Sequence, residues 1–183
     1  MIKEWTPVLE KELIKKAKKE PELFGEVYRH YFEPIYRYVS LKVSGDPAVS
    51  NELVSNVFYK ALVKLDRYDQ ERLSFAPWLY KIALNEVRMH FRKSKTGTFL
   101  FRIEDLQGAL DMEPGATDDP MDKEQMARHL SFLSDEELSI IELRFYEDLS
   151  FKELGQVFNK SEEAVKMKTY RILNKLKKRI SKS

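Results

Sequence analysis

Between Ser150 and Leu176 the chain reads SFKELGQVFNKSEEAVKMKTYRILNKL. Ser150 and Glu153 stand at the spacing of a capping box, in which each side chain satisfies a free backbone N–H of the other at a helix start. Phe151, Leu154 and Val157 then recur at helical spacing as far as Phe158-Asn159-Lys160. Asn159 falls where a helix end calls for a left-handed residue, a place asparagine fills second only to glycine. Ser161 opens a second helix whose Val165, Thr169, Ile172 and Leu176 share one face. Two short helices joined by a tight turn spell a helix-turn-helix. Its second helix turns Lys166, Met167, Tyr170 and Arg171 away from the core positions, with Lys168 at the flank. Those are the positions from which a recognition helix offers side chains to a DNA major groove.

Charge points the same way. After Lys160 come Lys166, Lys168, Arg171, Lys175, Lys177, Lys178, Arg179 and Lys182, against Glu162 and Glu163 alone. Both acids sit at the helix start, where the macrodipole favours them. A cluster of this kind is a footprint for phosphates. A lysine-rich run by itself fits a solvated terminal helix equally well; its coincidence with the helix-turn-helix layout is what favours DNA. Over the whole chain the signs nearly cancel, with 32 Lys and Arg against 30 Asp and Glu, so segregation rather than net charge carries the information.

Upstream, Ser134 with Glu137 repeats the capping-box spacing. From Gly97 to Asp122 the character changes: Gly97, Gly108, Pro114, Gly115 and Pro120 interrupt a stretch whose charges are nearly all acidic. Apart from Phe99, Leu100, Phe101, Ile103, Leu106 and Leu110 little in it could nucleate a core, so a linker with a sticky first half is expected. Before it, three apolar series repeat at helical spacing: Leu23, Val27, Tyr31 and Tyr38; Leu53, Val57, Ala61 and Leu65; Phe75, Leu79, Ile82, Ala83 and Val87. Asp46-Pro47 reads as an N-cap with proline at the first helical position. Asp66 to Ser74 breaks the pattern, and Ser74 is placed to cap the third of these helices. No run favours strands. The expectation is an all-α chain of two small helical domains, 1–95 and 125–183, joined by an acidic linker over 96–124.

Composition narrows the classes. Hydrophobic residues at 43% suffice for real cores, and 34% charged residues suit helices with long solvated faces. The absence of cysteine removes disulfide frameworks, thiolate zinc sites and cysteine nucleophiles, and fits a reducing compartment, so a cytoplasmic location is expected. Met1-Ile2-Lys3-Glu4-Trp5 leads into alternating Lys and Glu, and no long apolar run occurs beyond it; neither signal peptide nor membrane insertion is expected. His30, His90 and His129 are widely spaced, and neither a Gly-rich phosphate loop nor metal-ligand spacing occurs. No cofactor, metal or catalytic residue is expected, and the chain is not read as an enzyme.

The order of these motifs resembles a known family. Phe24 to Tyr38, Asp46-Pro47 leading to Glu52-Leu53-Val54-Ser55-Asn56-Val57-Phe58, Arg67-Tyr68-Asp69, and the run Ser74 to Asn85 (SFAPWLYKIALN) resemble region two of extracytoplasmic-function (ECF) sigma factors of bacterial RNA polymerase. Leu133 to Glu137, Leu143-Arg144-Phe145 to Leu149-Ser150, and Ser161 to Arg171 are similar to their region four. Two motif sets in the right order are far more specific than either alone.

The resemblance implies roles. Glu52, Leu53, Ser55, Asn56 and Phe58 match the surface that docks on the clamp helices of the polymerase largest subunit. Tyr68, Ser74 and Phe75 belong to the loop that captures a base flipped from the minus-ten element, and Trp78, Lys81, Asn85, Arg88, Met89 and Arg92 to the helix approaching that strand. Lys166, Met167, Lys168, Tyr170 and Arg171 would read the minus-thirty-five element while their domain rests on the flap of the second-largest subunit. The implied partners are core RNA polymerase, promoter DNA and an anti-sigma factor. The residue types suit this: aromatic faces, an amide and cations are what single-stranded DNA requires. Phe75 and Trp78 fit a core as well as a base contact, whereas Asn85 and Arg88 fall on a different face from Leu79, Ile82 and Ala83. Departures from the family pattern are Ser55-Asn56 for Gln-Glu, Leu62 for tryptophan and Glu163 for glycine. A helix-turn-helix repressor or activator, binding paired half-sites as a dimer, stays open on the residues alone.

Overall fold

A computed structural model describes residues 5–43, 45–94 and 132–180. The chain divides into two compact units, Met1–Thr98 and Phe99–Ser183. The expected linker over 96–124 and His129 lie outside the described residues. Among the described residues every regular element is a helix, in agreement with the all-α expectation.

The first unit contains α1 (Pro7–Ala17), α2 (Phe24–Lys42), α3 (Pro47–Val63) and α4 (Phe75–Ser94), with 3-10 turns at Pro21–Leu23 and Leu65–Arg67. Helix α3 starts as its sequence dictates: the Asp46 carboxylate accepts from the Ala48 and Val49 N–H groups at 2.9 and 3.2 Å, and Pro47 takes the first position. Val27, Ile35 and Val39 of α2, Leu53, Val57 and Ala61 of α3, and Leu79, Ala83 and Val87 of α4 are all buried. Each valine, leucine and isoleucine among them contributes about 1.5–3 kcal/mol by leaving water, and the three stripes can be satisfied together only if α2, α3 and α4 pack on one another. Helix α1 has no such stripe. Only Ile14 and Ala17 of it are buried, which is why apolar periodicity does not reveal it.

The second unit contains α5 (Asp135–Phe145), α6 (Phe151–Phe158) and α7 (Glu162–Ile180). Both capping boxes form. The Glu137 and Glu153 N–H groups donate to the Ser134 and Ser150 hydroxyls at 3.3 and 3.2 Å, and each glutamate accepts from the serine N–H at 2.8 Å. Asn159 is left-handed, at φ 53°, and the Ala164 N–H donates to the Ser161 hydroxyl at 3.2 Å, opening α7. The turn between α6 and α7 also depends on Gly155. A Cβ built there would lie 2.7 Å from the Lys160 carbonyl oxygen, so only glycine lets the chain fold back this tightly. Val165, Thr169, Ile172 and Leu176 of α7 and Leu154 and Val157 of α6 are all buried where the two helices pack.

Candidate nucleic-acid interfaces

Seating α7 by that face leaves the other one outward. Lys166, Met167, Tyr170 and Arg171 are exposed, Met167 at 56% and Tyr170 at 43%. The Tyr170 ring is backed by Phe151 of α6 at 6.3 Å between centroids. The Arg144 guanidinium lies 5.0 Å from the centre of the Phe151 ring and donates to the Leu149 carbonyl at 3.1 Å, tying α5 to the start of α6. Four of the expected minus-thirty-five residues therefore form one continuous, supported patch.

Lys168 is different. It is half-buried, and its ammonium lies 2.9 Å from a Glu136 carboxylate oxygen that also attracts Lys160 at 3.7 Å. Farther along, Lys175 binds Glu137 at 3.1 Å and the Phe132 carbonyl at 3.1 Å, and the Arg179 guanidinium sits 3.4 Å from the centre of the Phe132 ring. The basic helix thus spends some of its cations on its own unit. For Glu137, burial acts to raise the carboxyl pKa, but hydrogen bonds from the Ser134 N–H and from Lys175 outweigh it and hold the group below its usual value.

In the first unit α4 exposes Asn85, Arg88, Met89 and Arg92, with Lys81 half-buried. Asn85, Arg88, Met89 and Arg92 border an open groove of about 500 Å³ between α4 and α3, where Lys60 and Lys64 add positive charge from the α3 side. Lys60 is anchored there by the buried carboxylate of Glu86 at 2.6 Å. Lys60 and Lys64 were not among the residues expected from sequence. Their i, i+4 spacing at the end of α3 is the signal that could have found them, since it puts both on one side of the helix.

The loop before α4 is more enclosed than the resemblance suggests. Ser74 is exposed, but Tyr68 is 4% exposed and Phe75 fully buried, so neither ring faces solvent. They pack edge to face at 5.4 Å, and Trp78, half-buried, leans on them at 4.8 and 5.4 Å. The three aromatics form a wedge whose only accessible edge belongs to Trp78, because stacking among themselves already removes the other two from water.

The outer face of α3 shows a similar division. Glu52 and Ser55 are exposed and Asn56 half-buried, whereas Leu53 and Phe58 lie in the core at 4% exposure each. The solvent side is completed instead by Tyr59 at 66%, Leu62 and Val63. Glu52, Ser55, Tyr59 and Leu62 thus form one accessible stripe at helical spacing along this helix. Its far end, where Tyr59 and Leu62 stand beside Val63, is an exposed apolar patch suited to contact with another protein.

Among the described residues, no group of three or more His, Asp or Glu could hold a metal ion, and no helix is long and apolar enough to cross a membrane.

Comparison with known proteins places both units. The sigma-70 region 2 model matches residues 27–96, and the sigma-70, region 4 model matches residues 130–178. The chain is similar to the ECF RNA polymerase sigma factor BldN of Streptomyces coelicolor, with 30% identity over 173 residues. The alignment covers 90% of this chain and 63% of BldN, so the chain spans a little under two thirds of that relative's length. It is similar also to the ECF RNA polymerase sigma factor SigW of Bacillus subtilis, 24% identical over 93% of this chain and 96% of SigW. A solved structure of CnrH, a sigma factor of Cupriavidus metallidurans, in complex with the cytosolic domain of CnrY shares the fold, with a TM-score of 0.65 at 20% identity over 93% of this chain and 96% of that one. With both region models matched in order and two ECF relatives aligned over nearly its whole length, the chain belongs to the sigma-70 family, as an RNA polymerase sigma factor of the extracytoplasmic-function class.

Proposed function

We propose that the chain is a dissociable specificity subunit that carries core RNA polymerase to a particular set of promoters and opens them. In this reading the 125–183 domain lays α7 in the major groove of the minus-thirty-five element through Lys166, Met167, Tyr170 and Arg171. Lys168, drawn toward Glu136, contributes less. The 1–95 domain takes up the minus-ten strand along the α3–α4 groove, where Asn85, Arg88, Met89 and Arg92 present amide, thioether and cations, and Trp78 its free edge. Stacking on such an edge is worth about 1–3 kcal/mol per base, comparable to the few kcal/mol needed to extrude one. Tyr68 and Phe75 act from the core by shaping the loop, and Ser74 remains a direct contact.

The single observation that carries this reading is the presence of two separate outward basic faces, α4 with the end of α3 and α7, in the two matched regions. Docking on the polymerase clamp is assigned to the α3 stripe of Glu52, Ser55, Asn56, Tyr59 and Leu62, with Leu53 and Phe58 holding the helix from beneath. Region four would rest on the flap, and the acidic 96–124 linker would lie in the basic channels of the core enzyme. Binding energy is spent on location and strand separation, without covalent chemistry, in the cytoplasm. An anti-sigma protein covering the same faces is the expected inhibitor; the similarly folded CnrH is held in complex with the cytosolic domain of CnrY. Reconstituted run-off transcription tests the proposal. Core polymerase with this chain should initiate from promoters selected by the pair, and failure to initiate at any while a housekeeping factor succeeds would refute it.

A further inference from the structure

Helix α1 lies outside the stretch matched by the region 2 model, which begins at residue 27, yet its last turn reaches the loop proposed to receive an unstacked base. Lys18, at the carboxyl end of α1, donates from its ammonium to the Tyr68 carbonyl at 2.6 Å, and the same cation lies 5.9 Å from the centre of the Tyr68 ring. At its other end Tyr68 donates its hydroxyl to the Leu73 carbonyl at 2.6 Å, bridging the loop from first residue to nearly last. Between these points Asp69 accepts from the Glu71 N–H at 3.0 Å and pairs with Arg72 at 3.2 Å. Tyr68 is thus gripped at carbonyl, ring and hydroxyl.

The grip is anchored. Trp5 stacks on His30 of α2 at 3.8 Å and donates to Glu10 at 3.3 Å, and the Glu10 carboxylate also accepts from the Tyr31 hydroxyl. Ile14 and Ala17 bury the inner side of α1. Burial, reinforced by the negative charges of Glu10, Asp69 and Glu71, pushes the Tyr68 phenol above its ordinary pKa. It therefore stays a neutral donor at any physiological pH. Lys18 stands at a helix carboxyl terminus, where the macrodipole favours a cation, and a charge-assisted hydrogen bond is about twice as strong as a neutral one.

We propose that Lys18 is a positioning residue for strand opening: from the end of α1 it holds the Tyr68–Ser74 loop in the shape that accepts the extruded base. A loop fixed in advance avoids an ordering cost when the base arrives, so removing the anchor slows opening while duplex recognition is spared. The inference rests on the reading of this loop as the minus-ten contact.

Its test uses the full chain with core polymerase on a duplex promoter carrying 2-aminopurine in the minus-ten element, whose fluorescence rises on unstacking. Lys18→Met should lower the rate of opening about tenfold, the order expected for losing one charge-assisted hydrogen bond. Lys18→Arg should restore most of it. Tyr68→Phe, which frees the far end of the same bridge, should act in the same direction, and the double variant should fall short of the product of the two losses. Affinity for a duplex bearing only the minus-thirty-five element should not change. Opening by Lys18→Met at the wild-type rate, or a loss shared equally by minus-thirty-five binding, overturns the proposal. A wild-type chain that opens no promoter overturns the sigma reading itself, an outcome distinct from either.

Discussion

Helices α4 and α7 are both proposed to contact DNA, yet they are built on different plans. On α7 the residues proposed to read DNA and the core residues occupy separate faces: Met167 and Tyr170 stand in solvent while Val165, Thr169 and Ile172 lie inside. Around α4 the two sets interpenetrate, because Tyr68 of the loop and Phe75 at the start of the helix are themselves core and Trp78 straddles the boundary. A groove reader needs only a rigid rod with a chemical pattern on one side. A strand-opening loop needs a shaped receptor, and shape in a short loop comes from tucking its aromatics into the fold.

That contrast can be broken most forcefully at Phe75. Phe75→Ala should cost the first unit about 3–5 kcal/mol, read as a shifted urea midpoint, whereas Met167→Ala or Tyr170→Ala should stay within about 0.5 kcal/mol of wild type. Equal, small effects at all three positions would erase the distinction. Gly155→Ala comes next. Alanine is the better helix former by about 1 kcal/mol, but the 2.7 Å approach to the Lys160 carbonyl should turn that into a net loss of about 1–3 kcal/mol, and a raised melting temperature would contradict the tight turn.

Smaller effects sharpen the account of α7. Titrating duplex binding by the polymerase complex against salt should show the log–log slope falling by about 0.9 for Lys166→Ala. Lys168→Ala should change it less, because Glu136 already engages that ammonium at 2.9 Å; equal slopes would mean Lys168 leaves Glu136 for phosphate. The slightest effect is on pH dependence. Glu137 has its folded-state pKa held below the ordinary glutamate value, so its contribution is complete above that value and disappears as pH falls through the folded one. Acid melts of Glu137→Gln should therefore show a flatter decline of stability below the ordinary glutamate range than wild type does.

Much of this was legible in the residues. The two capping boxes, Asp46-Pro47, Asn159 and the apolar stripes of α2, α3, α4 and α7 are local signals, and each element they predict is present. Helix α1 escaped because it buries only Ile14 and Ala17, too few positions to set a helical period. The enclosure of Tyr68, Phe75, Leu53 and Phe58 was equally hard to assign, since an aromatic or aliphatic in a binding motif carries the same side chain whether it touches a partner or supports what does. Tyr59, Lys60 and Lys64 became visible once the helical phase of α3 was fixed by its neighbours.

The central claim is that two basic helical units grip separated stretches of one duplex only when the polymerase carries them there. Hydroxyl-radical footprinting of a selected promoter, with the full chain in the presence and absence of core polymerase, tests it most directly. Two protected patches, at the minus-ten and minus-thirty-five elements, should appear with polymerase and vanish without it. A footprint of equal strength from the chain alone, centred on symmetric half-sites, would contradict the account and identify a dimeric repressor or activator instead.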